Sequence, residues 1–203
     1  MTIAIDADKL LTYLDANGVD ASTQVTRGWD HLGAVIVDAA LQRRQRYKGT
    51  VEPRVRELIA AWPDAETAAG FRARINDGGL GRVIRWKSED RLIQINEILH
   101  VFEAEHINTV SDLRAHFASS IRRADLRKAL RSVKHVGPKT LDYIEILIGN
   151  HSAVAIDVRI QKVASKAGIT NHAYSHLSDV IHAAAAKRGW RPGDLDAVLW
   201  NAE

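Results

Sequence analysis

The sequence predicts an all-α protein. Apolar residues recur at helical spacing in segment after segment, and glycine or proline punctuates the gaps between those segments. No run alternates apolar and polar residues over the length of a strand. The one extended-looking stretch, Val154-Ala155-Ile156, is short.

Taken in order, Leu10, Leu11 and Leu14 share one face of a first helix, and Gly18 stands where a left-handed C-terminal residue is wanted. Residues 19–28 read as a polar linker. A second helix is expected from about Trp29 to about Arg46, with Leu32, Val35, Ile36 and Ala39 as its buried stripe. Pro53 opens a third helix, which ends at Trp62-Pro63, and a fourth covers about Ala65 to Asn76. Asp77-Gly78-Gly79-Leu80-Gly81 reads as a turn, because it lacks the Gly-Lys-Ser/Thr of a nucleotide-binding loop. Ser88 is placed to cap a long helix through His106, with Leu92, Ile95, Ile98, Leu99 and Phe102 on its apolar face. Thr109-Val110-Ser111-Asp112 has the form of a capping box, Asp replacing Glu, before a helix to Ala118. Two helices around a tight turn follow. Past Asp157 a helix runs to about Ala167 and stops at Gly168. Another spans Ser175 to Arg188 and stops at Gly189. Pro192 begins the last, which carries Leu195, Val198, Leu199 and Trp200.

A chain of 203 residues makes one compact domain or two small lobes, and 46% hydrophobic with 26% charged residues suffices for a core. It has no cysteine, which excludes disulfides, thiol nucleophiles and zinc–cysteine sites. No signal peptide is evident, and no apolar run approaches the ~18 residues of a membrane span. The expectation is a soluble, intracellular protein of the cytoplasm or nucleoid with no membrane partner. The formal charge is only +3, but it is unevenly spread. Residues 122–139 hold Arg122, Arg123, Arg127, Lys128, Arg131, Lys134 and Lys139 against Asp125, a net +6 that leaves the remainder at −3.

That basic segment leads into the most informative stretch, Leu130 to Ile160. Val133-Lys134-His135-Val136-Gly137 is too short for anything but a hairpin between helices. Pro138 then takes the first helical position, where its missing N–H costs nothing. The free N–H groups of a helix start, together with its dipole, suit a phosphate. Further on, Asp157 follows Val154-Ala155-Ile156 and opens the next helix.

These residues resemble the helix-hairpin-helix and Gly/Pro…Asp signature of the DNA glycosylase superfamily that includes endonuclease III. Matched residue by residue, the hairpin is Val133 to Gly137, the lysine that marks strand-cleaving members is Lys139, and the catalytic aspartate is Asp157, 18 residues on. His135 stands where the hairpin's first glycine is usual, a position that favours positive φ and that His tolerates better than most residues. Leu32 to Gln45 looks like the family's long helix leading to a DNA-facing loop. Lys87-Ser88 to Phe102 looks like a helix of the hairpin lobe, and Pro192 to Trp200 like a terminal helix. The similarity spans most of residues 30–203 and is loose outside 130–160.

The resemblance implies two helical lobes with a central cleft. One would be formed by both chain ends, 1–30 with 151–203. The other would be the central segment 31–150, with the helix-hairpin-helix at 124–149. Without cysteine, the iron–sulfur cluster of many relatives is not expected. No cofactor is expected beyond a monovalent cation held by hairpin carbonyls, here those of Val133 and Val136.

Each candidate residue has a functional and a plainer reading. A carboxylate at Asp157 stabilises an oxocarbenium-like sugar or activates a nucleophile; alternatively it only caps its helix. Lys139, as a neutral amine, attacks the sugar to form a Schiff base; alternatively it touches phosphate. Lys134, His135, Val136, Gly137 and Thr140 would hold the DNA backbone without reading sequence, or form an ordinary helical corner. Gln42, Arg43, Arg44, Gln45 and Tyr47 lie where a base-flipping enzyme needs a wedge, or are a solvated helix end. Asp38, in the apolar run Val35 to Ala40, would line a base pocket, pair with an arginine, or face solvent. Trp86, between Arg85 and Lys87, is the tryptophan placed to stack on a base; the others read as core. His172 and His176 are four apart but lack a third metal ligand, and read as surface histidines.

The function expected is removal of a damaged or modified base from double-stranded DNA by a monomeric glycosylase, with AP lyase chemistry where Lys139 is the nucleophile. The alternative is a non-catalytic helix-hairpin-helix DNA-binding protein. The base itself is not legible, because a flipped base is recognised by groups scattered in sequence.

Overall fold

A computed structural model describes residues 2–201. In chain order the helices are α1 (Thr2–Ala16), α2 (Leu32–Leu41), α3 (Glu52–Ala61), α4 (Ala68–Asn76), α5 (Leu80–Val83) and α6 (Glu89–Ala104). They are followed by α7 (Val110–Ala118), α8 (Ser120–Arg131), α9 (Pro138–Leu147), α10 (Val158–Lys166), α11 (Tyr174–Arg188) and α12 (Pro192–Asn201). A π-helical turn, Tyr47–Val51, leads into α3, and a 3-10 turn, Pro63–Glu66, follows it. Among the described residues there is no strand, and no helix is long and apolar enough to cross a membrane.

The chain divides into two compact units, Met1–Arg27 with Gly149–Glu203, and Gly28–Ile148. In the first, α1 packs on α11, and α12 lies against α10 and α11. Leu10, Leu14, Ile160, Val163, Leu177, Ile181, Leu195 and Leu199 form its core. Burial of each such side chain contributes about 1.5–3 kcal/mol. Gly18, Gly168 and Gly189 all adopt the positive φ that ends a helix.

In the second unit α2 is the centre. All ten of its residues are buried, and α3, α6 and α9 pack around it. A helix apolar on every side has no solvent face to choose, which is why Leu32 to Leu41 sits inside. Trp29 N–H donates to the Leu147 carbonyl at 2.9 Å. Gly28, at φ +111°, lies so close that a Cβ there would be 2.2 Å from the same oxygen. The Thr109–Asp112 capping box is present, and the predicted helix to Ala118 matches α7.

Several expected boundaries move. The second helix ends at Leu41 instead of near Arg46. Arg44 turns left-handed (φ +61°), and the chain then re-enters a helix through the π-helical turn. The glycine-rich turn is followed at once by the short helix α5, entered through a left-handed Gly79. Ser88 holds the N-cap position of α6, but its side chain makes no capping bond.

Candidate functional site

α8 and α9 are joined by residues 132–137. Val136 N–H donates to the Val133 carbonyl at 3.1 Å, closing the turn, and the side chains of both valines are buried. His135 adopts φ +70°, the left-handed conformation expected where a glycine is usual. Gly137 is extended and is the N-cap of α9; Pro138 follows it at the helix start, with Lys139 and Thr140 half-buried in the first turn.

The structure brings two separately predicted segments together at this turn. Arg43 Nη1 lies 3.0 Å from His135 Nδ1. A guanidinium can only donate, so Nδ1 is the acceptor and carries no proton. Desolvation lowers the His135 pKa, and the nearby positive charges of Arg43 and Lys134 push it the same way. Lys134 Nζ meets Asp90 at 3.1 Å. Gln42 ends α2, its N–H donating to the Asp38 carbonyl, and Arg43, Arg44 and Gln45 beyond it are exposed.

The basic segment is less bare than its sequence suggests. Arg123 and Arg127 turn inward to Glu145, which has no exposed surface, and Arg127 also bonds Asp142 at 2.8 Å. Over residues 122–147 seven cations face three acids, a net +4. Of the other cations, Arg122, Lys128 and Arg131 are exposed, Lys134 pairs with Asp90 and Lys139 is half-buried.

Asp38 is fully buried, so the solvent-facing reading fails, and no arginine meets it among the described residues. Its Oδ2 accepts from Trp29 Nε1 at 2.8 Å and from the Tyr47 hydroxyl at 3.2 Å; its Oδ1 accepts from the Tyr143 hydroxyl at 3.0 Å. Three neutral donors solvate the carboxylate without cancelling its charge. Burial therefore dominates and raises its pKa to about 6, the three bonds pulling the other way. The same burial and the adjacent carboxylate raise the Tyr47 pKa, keeping that phenol protonated. Asp38 connects outward through Tyr47, which is half-buried on the π-helical turn. Such π-helical turns often mark functional positions. Trp29 and Tyr143 were not predicted for this site. They lie 9 and 105 residues from Asp38, and no local pattern links them to it.

Trp86 is half-buried, with the Arg54 guanidinium 5.2 Å from its ring centre. Its Nε1 is buried with no acceptor among the described residues.

In the other unit, Asp157 is the N-cap of α10. Its Oδ1 accepts from the N–H of Arg159 at 2.9 Å and of Ile160 at 3.1 Å. Val154, Ala155 and Ile156 lead into it, buried and without helical structure. His176 is not the surface histidine expected. Its side chain is 11% exposed, with Nε2 2.9 Å from Asp6, because α1 packs over this face of α11. His172 instead meets the Ile169 carbonyl. No group of three or more histidines and carboxylates among the described residues is placed to hold a metal ion.

The chain belongs to the family described as Domain of unknown function (DUF8548), which matches residues 8–203. No curated protein and no solved structure matches it.

Proposed function

We propose that this protein is a DNA glycosylase that removes a damaged or modified base from double-stranded DNA. In this reading Asp157 is the catalytic carboxylate. Lys139 is the amine that forms a Schiff base with the sugar and permits strand cleavage. The α8–α9 connection grips phosphate, and the 42–47 segment enters the duplex with Gln42, Gln45 or Tyr47 as wedge. Asp38 supports the base pocket through Tyr47, with Trp86 as a further stacking candidate. The carbonyls of Val133 and Val136 hold a monovalent cation.

One observation supports this reading above the others. The left-handed turn at His135, the helix start at Gly137-Pro138 and the cationic Arg43 meet in one place. A Cβ on Gly137 would touch no atom of the chain within 4 Å. Nothing inside the protein therefore requires glycine at a helix N-terminus that would suit a phosphate oxygen. The attack is balanced: the neutral amine displaces the base from C1′, and the base leaves with the glycosidic electron pair and takes up a proton; the C1′–O4′ bond of the aminal then opens, the amine proton passing to O4′, to give the Schiff base, and loss of a C2′ proton from it expels the 3′ phosphate.

The second reading, a DNA-binding protein without turnover, is favoured by the capping bonds of Asp157, a structural task that needs no chemistry.

The test is a panel of labelled duplexes, each with one lesion or an abasic site, incubated with the full chain and sodium borohydride. A trapped adduct is expected, lost in Lys139→Ala. Excision that survives without trapping, revealed by alkali and abolished in Asp157→Asn, would leave a glycosylase in which Lys139 contacts phosphate only. Duplex binding without excision across the panel, unchanged in Asp157→Asn, would establish the second reading.

A further inference from the structure

Asp157 sits at the end of a stretch that no helix or strand supports. Residues 151–156 run in non-helical conformation among buried neighbours, and a buried N–H without a partner is costly. The first turns of α12 provide the partners. Asp196 Oδ1 accepts from the Ala155 N–H at 2.9 Å, two residues before Asp157. Gly193 N–H donates to the His151 carbonyl at 2.7 Å. A Cβ on Gly193 would lie 2.8 Å from that oxygen, so glycine is what lets the two backbones touch.

Asp196 is itself held. Arg27 Nη1 donates to its Oδ2 at 2.9 Å, while Arg27 Nη2 donates to the Gly193 carbonyl at 2.8 Å. Asp194 completes the brace by accepting the Val25 N–H at 2.9 Å and the Arg191 guanidinium. One arginine thus locks both ends of the turn that holds the 151–156 stretch.

We propose that Asp196 is a positioning residue for Asp157, fixing the backbone that delivers the catalytic carboxylate, with Arg27 as its counter-ion. This rests on the glycosylase reading above. The charge balance agrees with it. Burial raises the Asp196 pKa, the Asp157 charge adds to the rise, and Arg27 opposes it most strongly. A buried ion pair is an expensive way to satisfy one N–H. Placing it two residues before Asp157 gains backbone precision, and small displacements of a reacting group cost large factors in rate.

The test uses the full chain and three readouts: hydrogen exchange over residues 151–160, the single-turnover excision rate, and the duplex Kd. In Asp196→Ala the amides of 153–160 should exchange about tenfold faster while those of α11 do not change. The excision rate should fall about 100-fold at unchanged Kd. Asp196→Asn keeps an oxygen for the Ala155 N–H but loses the charge that faces Arg27, so its protection and its rate should lie between those of Asp196→Ala and wild type. If Asp196→Ala loses its helical circular dichroism, Asp196→Ser, too short to span the bond, takes its place with the same expected readings. Unchanged protection, or lost protection with an unchanged rate, overturns the inference and leaves the glycosylase reading standing. A wild-type chain that excises nothing overturns both.

Discussion

Asp38 and Glu145 are carboxylates of the same unit, each with no exposed surface, and the fold accommodates them in opposite ways. Glu145 receives two guanidinium groups, from Arg123 and Arg127, and ties α9 to α8. Asp38 receives an indole and two phenols, none of them charged. Cationic partners make a clamp between the two helices. Neutral donors satisfy the lone pairs yet leave the charge uncompensated, so burial governs the proton affinity of Asp38. Burial alone does not fix how a carboxylate is accommodated; the charge of its partners does.

The strongest way to break this contrast is to remove the clamp. Arg127→Met removes one of the guanidinium groups that meet buried Glu145 and leaves the Arg123 pairing in place, and unfolding free energy should fall by about 3 kcal/mol, read from the urea midpoint. A loss under about 0.5 kcal/mol would mean that Glu145 is solvated as Asp38 is.

Next in size is the pH response of Asp38. Its folded pKa of about 6 lies above the usual ~3.9, so the fold favours the neutral form. The stability this contributes is complete below pH ~4 and lost as pH rises through 6, a swing on the order of 3 kcal/mol. Asp38→Asn cannot titrate. Between pH 4 and 7 its stability relative to wild type should improve by about that amount, and a pH-independent difference would sink the account.

Smallest is Tyr143→Phe, which removes one donor from Asp38. It should cost about 1–2 kcal/mol near neutral pH. Because the lost bond favoured the charged form, the pH window of the stability change should move upward. A window that stays in place would show that Trp29 and Tyr47 alone set the Asp38 proton affinity.

Much of the fold was legible because helical stripes and stop signals act locally. Leu10-Leu11-Leu14, the Thr109 box and the glycines at 168 and 189 are all read over a few residues. The His135 turn was legible too, since a short connection before Gly137-Pro138 leaves few backbone solutions. Asp38 was ambiguous because every residue around it in α2 is apolar, so periodicity could not say which way it faced. Glu145 escaped because the basic window closed at Lys139, while its partners reach it from 18 and 22 residues upstream. The Asp196 brace joins residues 27, 155 and 196, a separation that no local pattern spans.

The crossing of Gly28 and Leu147 has one more consequence. It brings the two ends of the Gly28–Ile148 segment to within a single backbone bond. A segment whose termini already touch is a cassette in the topological sense: its ends can be joined head to tail, with new ends opened elsewhere, at little loop-closure cost. The lysine of the proposed chemistry travels with that cassette and the aspartate stays behind, so the two halves of the proposed activity are separable at the level of DNA cloning.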